Sequence, residues 1–533
     1  MTAEKKVGLD DLTTAGAGAD DLETFDREEV VAASPAPPPG SLRALLLEAP
    51  HTDLGNAERF VAACRDFVRF DVPRDSWLVW DARRWRPDST GLAMRYAKRV
   101  MRRTQHLAVH HGDKALLRHA LASEGRRRLL DLLALASTEL PLVVTPDQLD
   151  ADPWVFNVEN ATVDLRAGTP RAQAPVDLIT KVAPVTFDAT ATCPRWEAFL
   201  ARIMGGRADL ITYLQRIAGC ALVGLGGLKT LFVFYGDGDN GKTTFVNVLL
   251  ALLGPYSMTA NAKTFLTASD YLGGHQHRDD LAQFPGVRFV AAGEPPKGAK
   301  LDAALIKSLT GGDPITCRAI RGKTFTFDPV CKLVLSTNEK PAVTEHTAAI
   351  WDRITPVPFL MTIPKPEIIK NYHLILRQEL SGILNWALAG CLAWQREGLE
   401  EPGPVSQARE SYRNEMDGLE DWLAAETMAD HAAWTPTAVL YQAYSVWCFR
   451  QNIASPLNNV HFARRLPSKV TVARRESNKT KGWVGIRLCG GGNGTKSEFF
   501  SGEKRSVGLL GNGGFTEPTD ADVLPGWVTE DAE

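Results

Sequence analysis

The run Gly236-Asp-Gly-Asp-Asn-Gly241-Lys242-Thr243 has the residue types and spacing to hold phosphate. It lies between an apolar β-type stretch, Leu231-Phe-Val-Phe-Tyr235, and a helix-type stretch from Thr244 to Leu253. A glycine-rich turn can point successive backbone N–H groups inward, and the helix that follows adds the positive end of its dipole. In such a G-x-x-x-x-G-K-T loop, Gly236, Asp237, Gly238, Asp239, Asn240, Gly241 and Thr244 form the cradle. Lys242 would reach the β- and γ-phosphates of ATP, and the Thr243 hydroxyl would ligate Mg²⁺. The alternative, a glycine-rich surface turn, leaves the flanking strand and helix patterns without a purpose.

Hydrolysis needs an acid for the metal and the attacking water, placed at the end of a neighbouring strand. Val287-Arg-Phe-Val-Ala-Ala292, then Gly293 and Glu294, supplies one, far enough beyond Lys242 to allow a crossover between parallel strands. Gly293 stands where a second acid often does, so Glu294 has to serve as metal ligand and as activator of water. The alternative is an ordinary surface glutamate. A third apolar run, Lys332-Leu-Val-Leu-Ser336-Thr337, ends in Asn338. An amide there could orient the water or sense the γ-phosphate, because ligands of parallel sheets sit at strand carboxyl ends; alone, it would read as a turn. Downstream, Ala348-Ala-Ile-Trp351-Asp-Arg353-Ile354 offers Arg353 either as an arginine that reaches the phosphate of a neighbouring subunit or as a partner for a nearby carboxylate.

The elements that position these residues belong to a long chain. Its 533 residues predict three or four domains at about 150 residues each. Apolar residues make up 44% and charged residues 23%, which excludes a fully disordered, collagen-like or coiled-coil chain. The longest uncharged apolar stretch, Ile217 to Leu228, is shorter than the ~20 helical residues a bilayer requires. No membrane anchor is expected. The N-terminus lacks the apolar core of a signal peptide, which makes the reducing cytoplasm the default compartment. Cys64, Cys193, Cys220, Cys317, Cys331, Cys391, Cys448 and Cys489 never form a C-x-x-C pair, so they read as buried thiols rather than a zinc ribbon or redox pair.

Charge is divided along the chain. Residues 1–40 carry net −6 and residues 490–533 net −5, leaving a body of +8 that suits a polyanionic partner. Both acidic segments have the composition of disordered tails. Residues 95–128 hold ten Lys or Arg against Asp113 and Glu124, a basic helical face that is either solvated surface or a DNA contact. Residues 309–327 read as a hairpin in which Arg318, Arg321 and Lys323 could face phosphates or only solvent. Lys307 before it is either a helix-face charge or a further contact. Residues 434–489 read as two helices, 439–449 and 459–466, then two strands beginning at Val470 and Trp483. Its cations include Arg464, Arg465, Arg474 and Arg475, which suggests a winged helix that binds duplex or forked DNA. Tyr441, Tyr444 and Trp447 fall at helical spacing and read as core.

Taken together, GDGDNGKTT, RFVAAGE, IKSLTGGDPITCRAIRGKTFTFDP, KLVLSTNEKP and AAIWDRI resemble the superfamily III helicases, specifically the phage, plasmid and poxvirus-type primase-helicase family. WLVWDARRW and WVFNVENATVDLRAGTPRA look like that family's pre-helicase domain, and LSGILNWALAGCLAW and PVSQARESYRNEMDGLEDWL like its helical extension. The resemblance implies an α/β fold: a P-loop NTPase core of AAA+-like, superfamily III type, with an α+β N-terminal domain, a helical extension and the C-terminal winged helix. The domains would be an acidic tail to residue 40, a pre-helicase domain over 41–190, the ATPase core over 191–365, the extension over 366–430, the winged helix over 431–489 and an acidic tail from 490.

It also implies a ring, usually a homo-hexamer, that hydrolyses ATP with Mg²⁺ between subunits and moves on single-stranded DNA, generally 3′ to 5′, with the basic hairpin in its channel. The expected setting is replication of a phage, plasmid or integrated element in a bacterial host cytoplasm. A catalytic primase domain is not apparent in this sequence, so a separate primase and other replication proteins are the partners to expect. Two alternatives stay open: an ATP-switched origin-binding initiator or helicase loader, and a DNA-binding scaffold.

Overall fold

The computed structural model describes residues 40–267, 279–318, 324–345, 347–451, 453, 456–468, 473–477 and 480–489. The first unit runs α1 (Leu42–Glu48), α2 (Asp53–Cys64), β1 (Val68–Asp71), β2 (Ser76–Trp80), β3 (Trp85–Pro87), α3 (Leu92–His111), α4 (Lys114–Ser123), α5 (Arg126–Ala136) and β4 (Val143–Val144). Its sheet has the order β3-β2-β1-β4. In α3 the buried residues Ala93, Tyr96, Ala97, Val100, Met101, Thr104, Leu107 and Ala108 recur every three or four positions, so one stripe faces the core while the arginines stay outside. Asp113 starts α4 by accepting the N–H groups of Ala115 and Leu116.

Next come β5 (Val155–Val158), β6 (Ala161–Asp164) and β7 (Thr169–Arg171), an antiparallel meander, then α6 (Pro194–Ile203) and α7 (Ala208–Leu222). Phe156, Val163, Trp196 and Ile217 share one core with the central sheet. The packing joins residues of the 155–185 segment to the body around the sheet.

The central sheet is built from β8 (Leu231–Tyr235), α8 (Lys242–Leu253), β9 (Ser257–Ala260), β10 (Phe289–Ala292), α9 (Ala303–Gly311), the hairpin β11 (Ile315–Arg318) and β12 (Thr324–Phe327), β13 (Lys332–Thr337), α10 (Ala348–Trp351) and β14 (Ile354–Pro358). Strand order is β14-β8-β13-β10-β9, and every pairing is parallel. β8, β10 and β14 are buried along almost their whole length, as expected for strands covered on both faces. Parallel pairing brings all the carboxyl ends to one edge. After the sheet, α11 (Tyr372–Leu376), α12 (Leu380–Glu397) and α13 (Gly403–Asp417) pack back onto it, with α12 lying along α7.

The C-terminal unit comprises α14 (Leu419–Glu426), β15 (Thr427–Pro436), α15 (Thr437–Arg450), α16 (Asn459–Arg465), β16 (Ala473–Ser477) and β17 (Thr480–Leu488). Its antiparallel sheet has the order β15-β17-β16. Its core contains Leu419 and Trp422 with Leu440, Tyr444, Trp447, Phe462 and Trp483. This core begins at Leu419, upstream of the expected residue 431, because α14 supplies Leu419, Trp422 and Leu423 to it, and β15 joins the unit through its sheet. Tyr444 and Trp447 are buried and Tyr441 packs beside them. Among the described residues no helix is long and apolar enough to cross a membrane. Seven of the eight cysteines are buried as read, but Cys489 is exposed.

Candidate active site

The loop after β8 closes on two glycines that no other residue can replace without strain. Gly236 has φ 153°, and a Cβ on it would lie 2.2 Å from the Phe359 carbonyl oxygen. Gly241 has φ 84°, and a Cβ there would lie 2.6 Å from Ile203 Cγ2 of α6. Between them Asn240 is buried and donates to the Asp237 carbonyl at 2.7 Å, which fixes the turn. The first turn of α8, Lys242 to Thr244, borders the same space.

Lys242, the first residue of α8, is only 5% exposed. Its ammonium donates to the Gly236 carbonyl at 2.6 Å, to Asn240 Oδ1 at 3.0 Å and to Asn338 Oδ1 at 3.2 Å. Burial lowers its pKa, and the carboxylates of Glu294 and Asp237 oppose that shift. Asn338 follows β13; its Nδ2 donates to Glu294 Oε2 at 3.0 Å and its backbone N–H to Oε1 at 3.4 Å. Glu294 follows β10 and is exposed. One chain of hydrogen bonds thus runs ammonium, amide, carboxylate across the carboxyl ends of three adjacent strands. Thr243 is exposed beside it.

These groups line a cleft of about 680 Å³, a size suited to a nucleotide or comparable small molecule. Gly238, Asp239, Asn240, Gly241, Lys242, Thr243, Thr244, Glu294 and Asn338 all border it. The opposite wall is one the sequence reading missed: Phe199 and Arg202 of α6, and Ile363, Glu367, Ile368, Ile369 and Tyr372 after β14. Arg202 ion-pairs with Glu367, and the Phe199 and Tyr372 rings meet edge-on at 5.9 Å. The one signal in the sequence was a run of isoleucines and prolines, Ile363-Pro-Lys-Pro-Glu-Ile-Ile369, with neither helical nor strand period.

Arg353 is not in this cleft. It immediately precedes β14, and its carbonyl accepts the Leu231 N–H at the amino end of β8, about five residues and roughly 15 Å from the loop at the far end of that strand. Its guanidinium donates to the Ala349 carbonyl at 2.7 Å. Lys307, left open above, pairs with Glu345 at 2.8 Å.

Of the expected DNA-facing cations, Arg318 ends β11 and is exposed; Arg321 and Lys323 lie outside the described residues. Arg464 is exposed on α16. Arg465 requires a correction: it is 8% exposed, ion-pairs with Asp417 at the end of α13 and donates to Asn414 Oδ1 at 2.7 Å. It ties the C-terminal unit to α13 and is not presented to a ligand. Arg474 and Arg475 lie on β16, an outer strand, opposite Trp483 and Gly482; their side chains lie outside what is described.

Comparison with known proteins gives two family matches. Residues 57–205 match the family described as D5 N terminal like, and residues 234–353 match a family of unknown function (DUF5906). The chain is 24% identical over 296 residues to "Putative helicase L207/L206" of Acanthamoeba polyphaga mimivirus, covering 52% of this chain and 30% of that protein. It is 26% identical over 297 residues to "Putative helicase 022R" of Frog virus 3 (isolate Goorha), with the same coverages. The chain is thus similar, at low identity, to viral proteins named putative helicases. It spans about 30% of the length of these curated relatives. Among solved structures, the A form apo structure of the NrS-1 C terminal region aligns with a TM-score of 0.44 at 11% identity, covering 82% of this chain and all of that one.

Proposed function

We propose that this chain is an ATP-driven, Mg²⁺-dependent DNA helicase acting in replication of a phage, plasmid or integrated element. The observation that carries the reading is the hydrogen-bonded series Lys242, Asn338, Glu294, set across three parallel strand ends beside a glycine-rich loop and a helix N-terminus. A P-loop NTPase site needs a cation for the β- and γ-phosphates, a polar group near the γ-phosphate and an acid for water, all preorganised. Lys242 would leave its present acceptors for phosphate oxygens. Asn338 would then hold the water against Glu294. Thr243 and Glu294 offer oxygen donors, both exposed on the cleft, as Mg²⁺ requires; bound there, the ion supplies charge neutralisation at the phosphates. The apolar outer wall, Ile363, Ile368, Ile369 and Tyr372, suits the base and ribose.

Arg353, at the amino end of the sheet, would reach the phosphate of a second copy of the chain rather than its own cleft, so the reading includes a head-to-tail ring, taken as a homo-hexamer. Arg318, with Arg321 and Lys323, would touch single-stranded DNA in the channel. The C-terminal unit is read as a winged helix in which Arg464, Arg474 and Arg475 engage the duplex at a fork; Arg465 is withdrawn from that set. The domains proposed are a pre-helicase part, the ATPase core, the helical extension and the winged helix beginning near residue 419. A separate primase and other replication proteins are the partners proposed.

The test is ATP hydrolysis by the full chain with and without single-stranded DNA, together with separation of a forked duplex, for the native chain, Lys242→Ala and Glu294→Gln. DNA-stimulated hydrolysis and strand separation that both variants lose support the motor. Binding of DNA and ATP with neither reaction responding to the other ligand would replace it with an initiator, loader or scaffold.

A further inference from the structure

We propose that the outer face of α3 and the first turn of α5 form a second DNA-binding surface, which holds the phosphate backbone of duplex DNA without reading its sequence. This surface stands apart from the cleft, and the inference does not depend on the motor reading. In α3, Arg95, Lys98 and Arg102 are exposed at spacings of three and four residues, so they form one stripe on the side opposite the buried one. Arg102 lies 3.5 Å from Glu124, and this contact brings the stripe to the corner where α5 begins with Arg126, Arg127 and Arg128, all exposed. The side chains of Arg102 and Arg127 are 68% and 96% exposed.

The two acids of this segment do not cancel the field. Asp113 is occupied as the cap of α4, and Glu124 sits against Arg102. The three arginines of α5 also stand where a helix disfavours them. The first turn carries the positive end of the dipole, and cations there are unfavourable. Gly125 caps α5 with no side-chain hydrogen bond, and Asp131, one turn on, lies 3.9 Å from Arg127 but leaves its side chain 96% exposed. A phosphate would be attracted at once by the guanidinium groups and by the open N–H groups.

Duplex is the form of DNA that fits. A surface for single strands combines cations with aromatic platforms on which bases stack. The single Phe, Trp or Tyr between residues 92 and 136 is Tyr96, and it is buried. The face can meet a backbone but cannot stack on bases.

The experiment is fluorescence anisotropy of a labelled blunt duplex of about 20 base pairs and of one of its strands, titrated with the full chain over ~0.05–0.3 M salt without nucleotide. The variants are R126A/R127A/R128A and R95A/K98A/R102A. Each should weaken duplex binding about tenfold or more at ~0.1 M salt and reduce the slope of log affinity against log salt by about three. Binding of the single strand and DNA-free ATP hydrolysis should stay within about twofold of the native chain. The α5 variant should melt no lower than the native chain, since alanine removes repulsion from the helix start. An unchanged duplex affinity and salt slope in both variants would make this a solvated face and overturn the proposal. So would loss confined to the single strand.

Discussion

Two lysines are buried at opposite ends of the same parallel sheet, and only one of them faces a cleft. Lys242 follows β8 at the carboxyl edge, 5% exposed; Lys332 begins β13 at the amino edge, 2% exposed. Each ammonium donates to three oxygens. For Lys242 these are one main-chain carbonyl and two side-chain amides, with carboxylates close enough to oppose the effect of burial. For Lys332 they are the carbonyls of Val223, Leu225 and Val330, the last two at 2.9 and 3.2 Å. Among the described residues no carboxylate opposes the effect of burial, which pushes its pKa down to about 8. Arg288 works alongside, donating to the Leu222 and Val155 carbonyls under the Tyr256 ring. The pair closes the carboxyl end of α7, where orphan carbonyls would otherwise be buried without donors. Desolvation alone therefore does not make a lysine functional. Exchangeable acceptors and an opening to ligand do.

The comparison breaks most sharply at Lys242. Lys242→Ala should lower ATP hydrolysis by about 10³-fold or more, as expected when a preorganised charge at a transferring phosphoryl group is lost, while the melting temperature stays near native. Phosphate release and thermal unfolding on the same sample check both halves. Lys332→Ala should do the reverse. It leaves three buried carbonyls without their donor and a cavity behind, and should cost about 2–4 kcal/mol of stability, read as a shift in the denaturant midpoint. Hydrolysis per folded molecule should remain within about twofold. A Lys332 variant that is stable and inactive would end the division of roles.

How much of this was legible in the sequence depends on the range of the interactions. The residues from Gly236 to Thr244 are contiguous, so their chemistry can be read locally. Glu294 and Asn338 are distant, yet each ends an apolar strand run, and parallel pairing alone brings such ends together. Lys332 heads a run of the same kind, and nothing local shows that the carboxyl end of α7 lies over it. Arg464 and Arg465 are adjacent and chemically identical, but only the second meets Asp417, a contact set by how α13 packs on α16. The start of the C-terminal core was misplaced because Thr427-Met-Ala-Asp-His-Ala-Ala-Trp-Thr-Pro436 lacks the alternation of a strand, while its pairing with β17 shifts register between Asp430 and Trp434. The cleft wall after β14 shows no period because, up to Tyr372 at the start of α11, its only regular element among the described residues is the single 3-10 turn Lys365–Glu367.

A smaller effect sharpens the view of the cleft. Asn338 touches both Lys242 and Glu294, and Asn338→Ala removes the link while leaving both charges in place. It should lower kcat by about 10–30-fold, with KM for ATP changed by less than about threefold, because a positioning group acts mainly after substrate is bound. Steady-state kinetics at saturating DNA separates the two. An equal rise in KM would make Asn338 a binding contact instead.

The smallest effect lies at the other end of the sheet and concerns pH. The Lys332 ammonium has a pKa of about 8 in the folded chain against an ordinary 10.5. Between these values the unfolded chain holds more of this proton, so the free energy of unfolding gains from this group as pH rises from about 8 toward 10.5. Below pH 8 both states are protonated and the penalty of burying the charge is present in full. Lys332→Met removes the titration while keeping most of the volume. The difference in stability between the native chain and this variant should therefore be flat from pH 6 to 7.5 and shift in favour of the native chain by about 1 kcal/mol on reaching pH 9. Urea unfolding at fixed ionic strength across that range measures it. A flat difference throughout would mean that the three carbonyls compensate the buried charge fully, and the contrast between the two lysines would rest on the cleft alone.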